Sequence, residues 1–263
     1  MKKVNGITIY DEGNPSGLPV IFIHAFPVDH SMWRPQVEML SPSYRVISYD
    51  VRGHGQSEVG DGQYTMELFV DDLLAVADHL RVQTSVLCGL SMGGYIVLRA
   101  AERHPDRWKG IVLCDTKSEA DGNEAKIKRA AAIASVKKIG AEGFAKTFIK
   151  TVLAESTLKN KFHLVESVLK MVSQNSTTGI AGALLALASR TDTTPFLPKL
   201  TVPTLILVGE EDKVTPPAAS ELMQKAIPSS QMHVISDAAH FSNLENPTAF
   251  NAKLLTFLKA IHS

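Results

Sequence analysis

The sequence predicts an α/β protein: a mostly parallel, twisted sheet of about eight strands flanked by helices, with a further helical region over one edge. Three observations carry this reading. Short apolar runs rich in branched residues alternate with longer segments of helical period. Several runs, such as 204–208, are apolar on nearly every residue, as expected of strands covered on both faces. From about residue 117 to 200 the alternation stops and only helical patterns remain.

The strand-like runs lie at 7–10, 20–23, 44–49, 85–88, 111–114, 204–208 and 232–235. Between them, Met66, Phe69, Leu73, Val76, Ala77 and Leu80 share one helical face, while Glu67, Asp71, Asp72 and Asp78 point elsewhere. Thr65 is the N-cap expected for that helix. Thr215-Pro216 and Asn246-Pro247 carry cap and first-turn signals for two later helices, the last striped by Phe250, Leu254, Leu258 and Ile261.

The late helical stretch suggests four helices, at 127–139, 144–152, 158–172 and 180–188. An excursion at this point predicts a cap over the carboxyl edge of the sheet, where ligands of open α/β sheets bind. A subdomain that only packs is the alternative. The expected division is a core of residues 1–116 and 201–263 with a cap of 117–200 inserted in it.

Composition narrows the possible functions. Of 263 residues, 44% are apolar and 21% charged, which is ordinary for a globular chain. Basic and acidic residues both number 27, so there is no electrostatic footprint for nucleic acid. Lys2 and Lys3 could open a signal peptide, but Asn5, Asp11 and Glu12 interrupt the apolar run that must follow. The apolar stretch 180–188 is too short to span a bilayer. Cys88 and Cys114 lack metal-ligand or redox spacing and fall in apolar runs, so buried free thiols and a cytoplasmic setting are expected.

The chemistry centres on Gly89-Leu90-Ser91-Met92-Gly93-Gly94, which follows one strand and opens a helix. A nucleophilic serine at such a turn needs a sharp backbone, and glycines two residues before and after leave room for it. The helix that follows aims partial positive charge at the site. Gly-x-Ser-x-Gly alone is weak, since roughly one chain of this length in ten contains it by chance. Its position between strand and helix gives it meaning. No Gly-x-Gly-x-x-Gly or Gly-Lys-Ser/Thr pattern supports a nucleotide loop instead.

Gly209-Glu210-Glu211-Asp212 follows the strand at 204–208, and Ala238-Ala239-His240 follows the strand at 232–235. Ser91, then Asp212, then His240 is the chain order of a nucleophile, acid and base at three strand ends. Asp115 also ends a strand and rivals Asp212, whose Gly-x-x-Asp setting favours it. His24 and His54 lie in loops near the presumed site, where a scaffold role is the simpler reading. His79, His104, His163, His233 and His262 sit on helical or strand surfaces without a partner motif.

Together with His24-Ala25-Phe26-Pro27 and Asp50-Val51-Arg52-Gly53-His54-Gly55-Gln56-Ser57, the serine motif resembles the α/β-hydrolase superfamily, from about residue 6 onward. Leu113-Cys114-Asp115-Thr116 and the cap are similar to small bacterial carboxylesterases, kin of 3-oxoadipate enol-lactonases. The resemblance implies the α/β-hydrolase fold and a triad of Ser91, Asp212 and His240. It also implies an oxyanion hole from the backbone N–H groups of Phe26 and Met92.

The expected function is hydrolysis of small to medium uncharged carboxylic esters through an acyl-enzyme. Lactonase action with the same residues is the alternative, with perhydrolysis and ligand binding without turnover further off. No cofactor and no metal is expected. The partner is a small-molecule ester, with no nucleic acid and no membrane span, for a monomer or small homo-oligomer. Alanine replaces the family's glycine at Ala25 and Ala239, which matters only if those positions need φ > 0.

Overall fold

The computed structural model describes residues 2–262, apart from the side chain of His262, so the surface position expected for that histidine lies outside the described side chains. Eight strands form one sheet: β1 (Lys2–Val4), β2 (Ile7–Gly13), β3 (Pro19–Ile23), β4 (Arg45–Tyr49), β5 (Ser85–Leu90), β6 (Trp108–Cys114), β7 (Thr204–Gly209) and β8 (Ser230–Ile235). Their order is β1-β2-β4-β3-β5-β6-β7-β8. Only β2 runs antiparallel to its neighbours; β4 through β8 pair in parallel.

The central strands show why their sequence lacks alternation. Every residue of β5 and β7 is buried, because helices cover both faces. Edge strand β8 is mostly half-exposed or exposed, and its apolar pattern is correspondingly broken. β1 escaped the reading of apolar runs because its three residues, Lys-Lys-Val, are exposed or half-exposed.

The core helices are α1 (Arg34–Leu40), α2 (Met66–His79), α3 (Met92–Arg103), α8 (Pro217–Ala226), α9 (Ser242–Glu245) and α10 (Pro247–His262). Thr65 caps α2 by accepting from Leu68 N–H, and Asn246 accepts from Ala249 N–H at the start of α10. The predicted cap at Thr215 does not form. Helix α8 begins at Pro217, and Thr215 turns its hydroxyl to Asp212 instead.

The helical stretch holds α4 (Asn123–Val152), α5 (Glu155–Asn160), α6 (Phe162–Ser173) and α7 (Thr177–Ala188). The two helices expected at 127–139 and 144–152 are the two halves of α4, separated at Gly140, whose φ of 72° and ψ of 174° leave the helical region. The single helix expected at 158–172 breaks at Lys161, whose φ of −115° and ψ of 59° leave the helical region. Periodicity carried through the break because apolar residues continue on both sides of it. α4 packs on both α6 and α7. Cys88 and Cys114 are buried free thiols, with sulfurs 3.9 Å apart in a thiol–thiol hydrogen bond. Among the described residues, no helix is long and apolar enough to cross a membrane.

Candidate active site

The turn at Ser91 is where sequence chemistry and backbone sterics meet. Ser91 has φ 55° and ψ −111°, a conformation costly for an L residue and tolerated only where its surroundings enforce it. Ser91 N–H donates to Cys114 O at 2.9 Å, and Ser91 O accepts from Thr116 Oγ1 at 2.9 Å. The flanking glycines are required by space. A Cβ at Gly89 would stand 2.3 Å from Gly93 O, and one at Gly93 would stand 2.1 Å from Ile23 O. Strand β5, helix α3 and strand β3 therefore approach closely enough to lift Ser91 Oγ out of the fold.

The loop after β8 brings His240 to the serine. Ser91 Oγ and His240 Nε2 are 2.9 Å apart, and His240 Nδ1 and Asp212 Oδ2 are 2.8 Å apart. An ionised carboxylate only accepts, so Nδ1 carries the proton and Nε2 is left to accept from the serine hydroxyl. The side chains of His240 and Asp212 are 3% and 0% exposed, which keeps water from competing for these bonds.

Asp212 is held on both oxygens. Oδ1 accepts from Val214 N–H at 2.8 Å and Thr215 N–H at 3.0 Å, and Oδ2 accepts from Thr215 Oγ1 at 2.7 Å. Burial pushes this carboxyl up, but the charge and hydrogen bond of His240, with the bonds from Thr215, leave it below the ordinary carboxylate range. The rival Asp115 lies behind it, fully buried with φ 45°. It accepts from Gly209 N–H at 2.8 Å and Ser242 Oγ at 2.5 Å, and makes no hydrogen bond to His240. Burial first, and then the charge of Asp212, hold the Asp115 carboxyl well above its usual range.

His24 and His54 are both buried, and neither side chain hydrogen-bonds to Ser91. His24 Nδ1–H donates to Ala25 O at 2.8 Å, and Nε2 accepts from Val51 N–H at 2.8 Å. His54 Nδ1–H donates to Arg52 O at 3.1 Å. Ala25 and Ala239 are absent from the residues with positive φ, so alanine there carries no backbone strain.

Three supporting residues escaped the sequence reading. Thr215 looked like a helix cap. Asn175 donates to Pro27 O at 2.7 Å and accepts from Gly55 N–H at 2.8 Å, fastening the loop that carries Phe26 to the end of α6. Glu245 accepts from Ala239 N–H at 2.9 Å and Ala154 N–H at 2.8 Å, tying the residue before His240 to the helical layer. Nothing in sequence spacing marks either of the last two, because each ties together backbone groups of segments far apart in the chain.

A cavity of about 350 Å³ opens at the serine, within the size range of ligand sites. Ser91, His240, Phe26, Phe148, Leu184 and Val214 contribute to its wall. Phe26 packs edge-on against Phe148 at 5.9 Å between centroids, where the loop after β3 meets α4.

A sheet of this order, with its serine on a strained strand-to-helix turn, defines hydrolases of the α/β class. The chain belongs to the alpha/beta hydrolase fold family, whose sequence profile matches residues 19–247. Among similar proteins, 3-oxoadipate enol-lactonase 1 of Acinetobacter baylyi is 31% identical over 255 residues, covering 97% of this chain and 94% of that protein. A thermophilic esterase from Thermogutta terrifontis, solved with malate bound, superposes with a TM-score of 0.94 at 39% identity, covering 98% and 94% of the two chains. The enol-lactonase from Burkholderia xenovorans LB400 has a TM-score of 0.91 at 29% identity, covering 97% and 98%.

Proposed function

We propose that the protein hydrolyses small to medium carboxylic esters through an acyl-enzyme, with Ser91 as nucleophile, His240 as base and Asp212 as the acid that orients it. The observation that carries this is the unbroken chain from Ser91 Oγ to His240 Nε2 at 2.9 Å and from His240 Nδ1 to Asp212 Oδ2 at 2.8 Å. His240 takes the hydroxyl proton as Oγ attacks the carbonyl, and Asp212 stabilises the resulting imidazolium. The oxyanion is received by the backbone N–H groups of Phe26 and Met92, each typically worth about 2.7–4 kcal/mol. His240 then protonates the leaving alcohol, and a water it activates releases the acid.

Helices α4 to α7, within residues 117–200, act in this reading as a cap. The apolar side chains of Phe144, Phe148, Leu184 and Leu187 in the cavity wall support a substrate with an apolar acyl or alkyl portion. A second reading, opening of a lactone by the same residues, is supported by the enol-lactonases among the similar proteins.

A fluorophosphonate probe should label Ser91, and a label found on another residue would overturn the nucleophile. Ser91→Ala should abolish ester turnover, on the order of 10⁶-fold in kcat, while the circular dichroism spectrum stays unchanged. A panel of 4-nitrophenyl esters against lactones separates the two readings.

A further inference from the structure

The main chain at His240 is fastened to the helical layer rather than to the sheet. His240 N–H donates to Val152 O at 3.0 Å, at the end of α4. Ala239 N–H donates to Glu245 Oε1 at 2.9 Å, and Oε2 of the same carboxylate accepts from Ala154 N–H at 2.8 Å. Glu245 is 1% exposed. Lys161, where the chain passes from α5 to α6, closes the clasp by donating from Nζ to Glu245 O. The core grips this loop on either side, where Ala238 O accepts from Glu211 N–H and Ser242 Oγ donates to Asp115. Between those points, both N–H groups at 239 and 240 go to groups held by the α4–α5 corner.

A carboxylate suits this point. Two donors, the N–H groups of the buried Ala154 and Ala239, converge on it from opposite segments, and each needs an acceptor. A carboxylate offers an oxygen to each, whereas an amide offers one oxygen and turns N–H donors on the other. The same half of α4 also forms the cavity: Phe144, Phe148, Thr151 and Val152 line it with Ser91 and His240. Phe148 packs on Phe241, the residue after His240, at 6.3 Å between ring centroids. Beyond the break at Gly140, the other half of α4 buries only Val136. The packed half is thus the one that anchors the histidine loop.

We infer that Glu245 is a positioning residue for the base: it fastens the loop of His240 to the corner between α4 and α5, so that the place of the imidazole between Ser91 and Asp212 depends on the helical layer as well as on the sheet. This rests on the reading of His240 as the base, given above. Both ring nitrogens are engaged, at 2.9 Å to Ser91 Oγ and 2.8 Å to Asp212 Oδ2, so a shift of the ring lengthens at least one of these bonds. Asp212 is fixed on its own loop by Val214 and Thr215 and does not move with the ring. A misplacement of about 1 Å costs on the order of 10²-fold in rate.

Glu245→Gln keeps the volume and sets an amide N–H2 against one of the two backbone donors. With a 4-nitrophenyl ester, kcat counted per Ser91 labelled by a fluorophosphonate should fall on the order of tenfold to a hundredfold, with KM unchanged. Counting per labelled serine removes the loss from unfolded protein, which is all that a purely structural role would give. A second readout needs no turnover. The low-field proton resonance of His240 Nδ1–H, assigned by its loss in His240→Ala, should shift or broaden in Glu245→Gln. If Glu245→Gln does not fold, Lys161→Met decides in its place: it releases only Glu245 O and should give a smaller loss in kcat of the same kind, with the same resonance moved. A kcat per labelled serine equal to wild type, or an unmoved His240 resonance, overturns the positioning role and leaves the hydrolase reading standing. Failure to turn over any ester or lactone, with the resonance moved, overturns the hydrolase reading and leaves the coupling of Glu245 to His240 standing.

Discussion

Thr215 donates its hydroxyl to Asp212 Oδ2 at 2.7 Å, the same oxygen that faces His240 Nδ1 at 2.8 Å. The acid of the proposed triad is thus held on the oxygen that faces the imidazole, while the backbone N–H groups of Val214 and Thr215 hold the other. Without the hydroxyl, Oδ2 loses a partner in a buried setting and the carboxylate gains freedom to rotate away from His240.

Thr215→Val, which keeps the shape and removes the donor, should lower kcat by roughly tenfold, about 1.4 kcal/mol in the barrier. Thr215→Ser should recover most of it. Steady-state kinetics on one ester decides the matter; a kcat for the valine variant equal to wild type would mean that the backbone N–H groups alone position Asp212.

The two buried aspartates should part company on substitution. Asp212→Asn leaves His240 facing an amide and should cost on the order of 10⁴-fold in kcat, the scale seen for a comparable triad. Asp115→Asn can still accept from Gly209 N–H and can donate to Ser242 Oγ, so its loss should be far smaller. It should act on stability instead. The folded chain holds the Asp115 carboxyl above its usual range, chiefly by burial and then by the charge of Asp212. Such a group binds its proton more tightly folded than unfolded. Its contribution to stability is therefore fully present below the ordinary carboxylate pKa, about 3.9, and is lost as pH rises through the elevated folded value. Asp115→Asn removes that slope, so its Tm relative to wild type should rise with pH above about 4. Parallel Tm–pH curves for the two proteins would contradict this.

Gly93→Ala should damage the fold before the chemistry. The added Cβ would stand 2.1 Å from Ile23 O, a backbone atom in the central sheet that cannot yield cheaply. A loss of about 3 kcal/mol is expected, seen in calorimetry as a Tm lower by on the order of 10 °C. A variant that melts like wild type would show that β3 and α3 can separate without cost.

Much of this architecture was legible in the chain alone. Consecutive apolar residues in β5 and β7 announce strands buried on both faces, and the glycines around Ser91 announce a turn that leaves no room for side chains. These are local properties, set by the period of the pattern and the size of single residues. The choice between Asp212 and Asp115 was not local. Both end strands, and only the path of the loop after β8 determines which carboxylate the imidazole meets. Asn175 and Glu245 were invisible for the same reason, since each bonds backbone groups that no spacing rule connects. The cavity wall belongs here too: on a helix, Lys128 and Arg129 look like solvated surface, and only the packing of α4 on the rest of the fold brings them to the same cavity as Ser91. Sequence determined the sheet, most of its helices and the residues proposed to react. Tertiary packing decided which of the buried and charged side chains face one another, because that depends on distances between elements far apart in the chain.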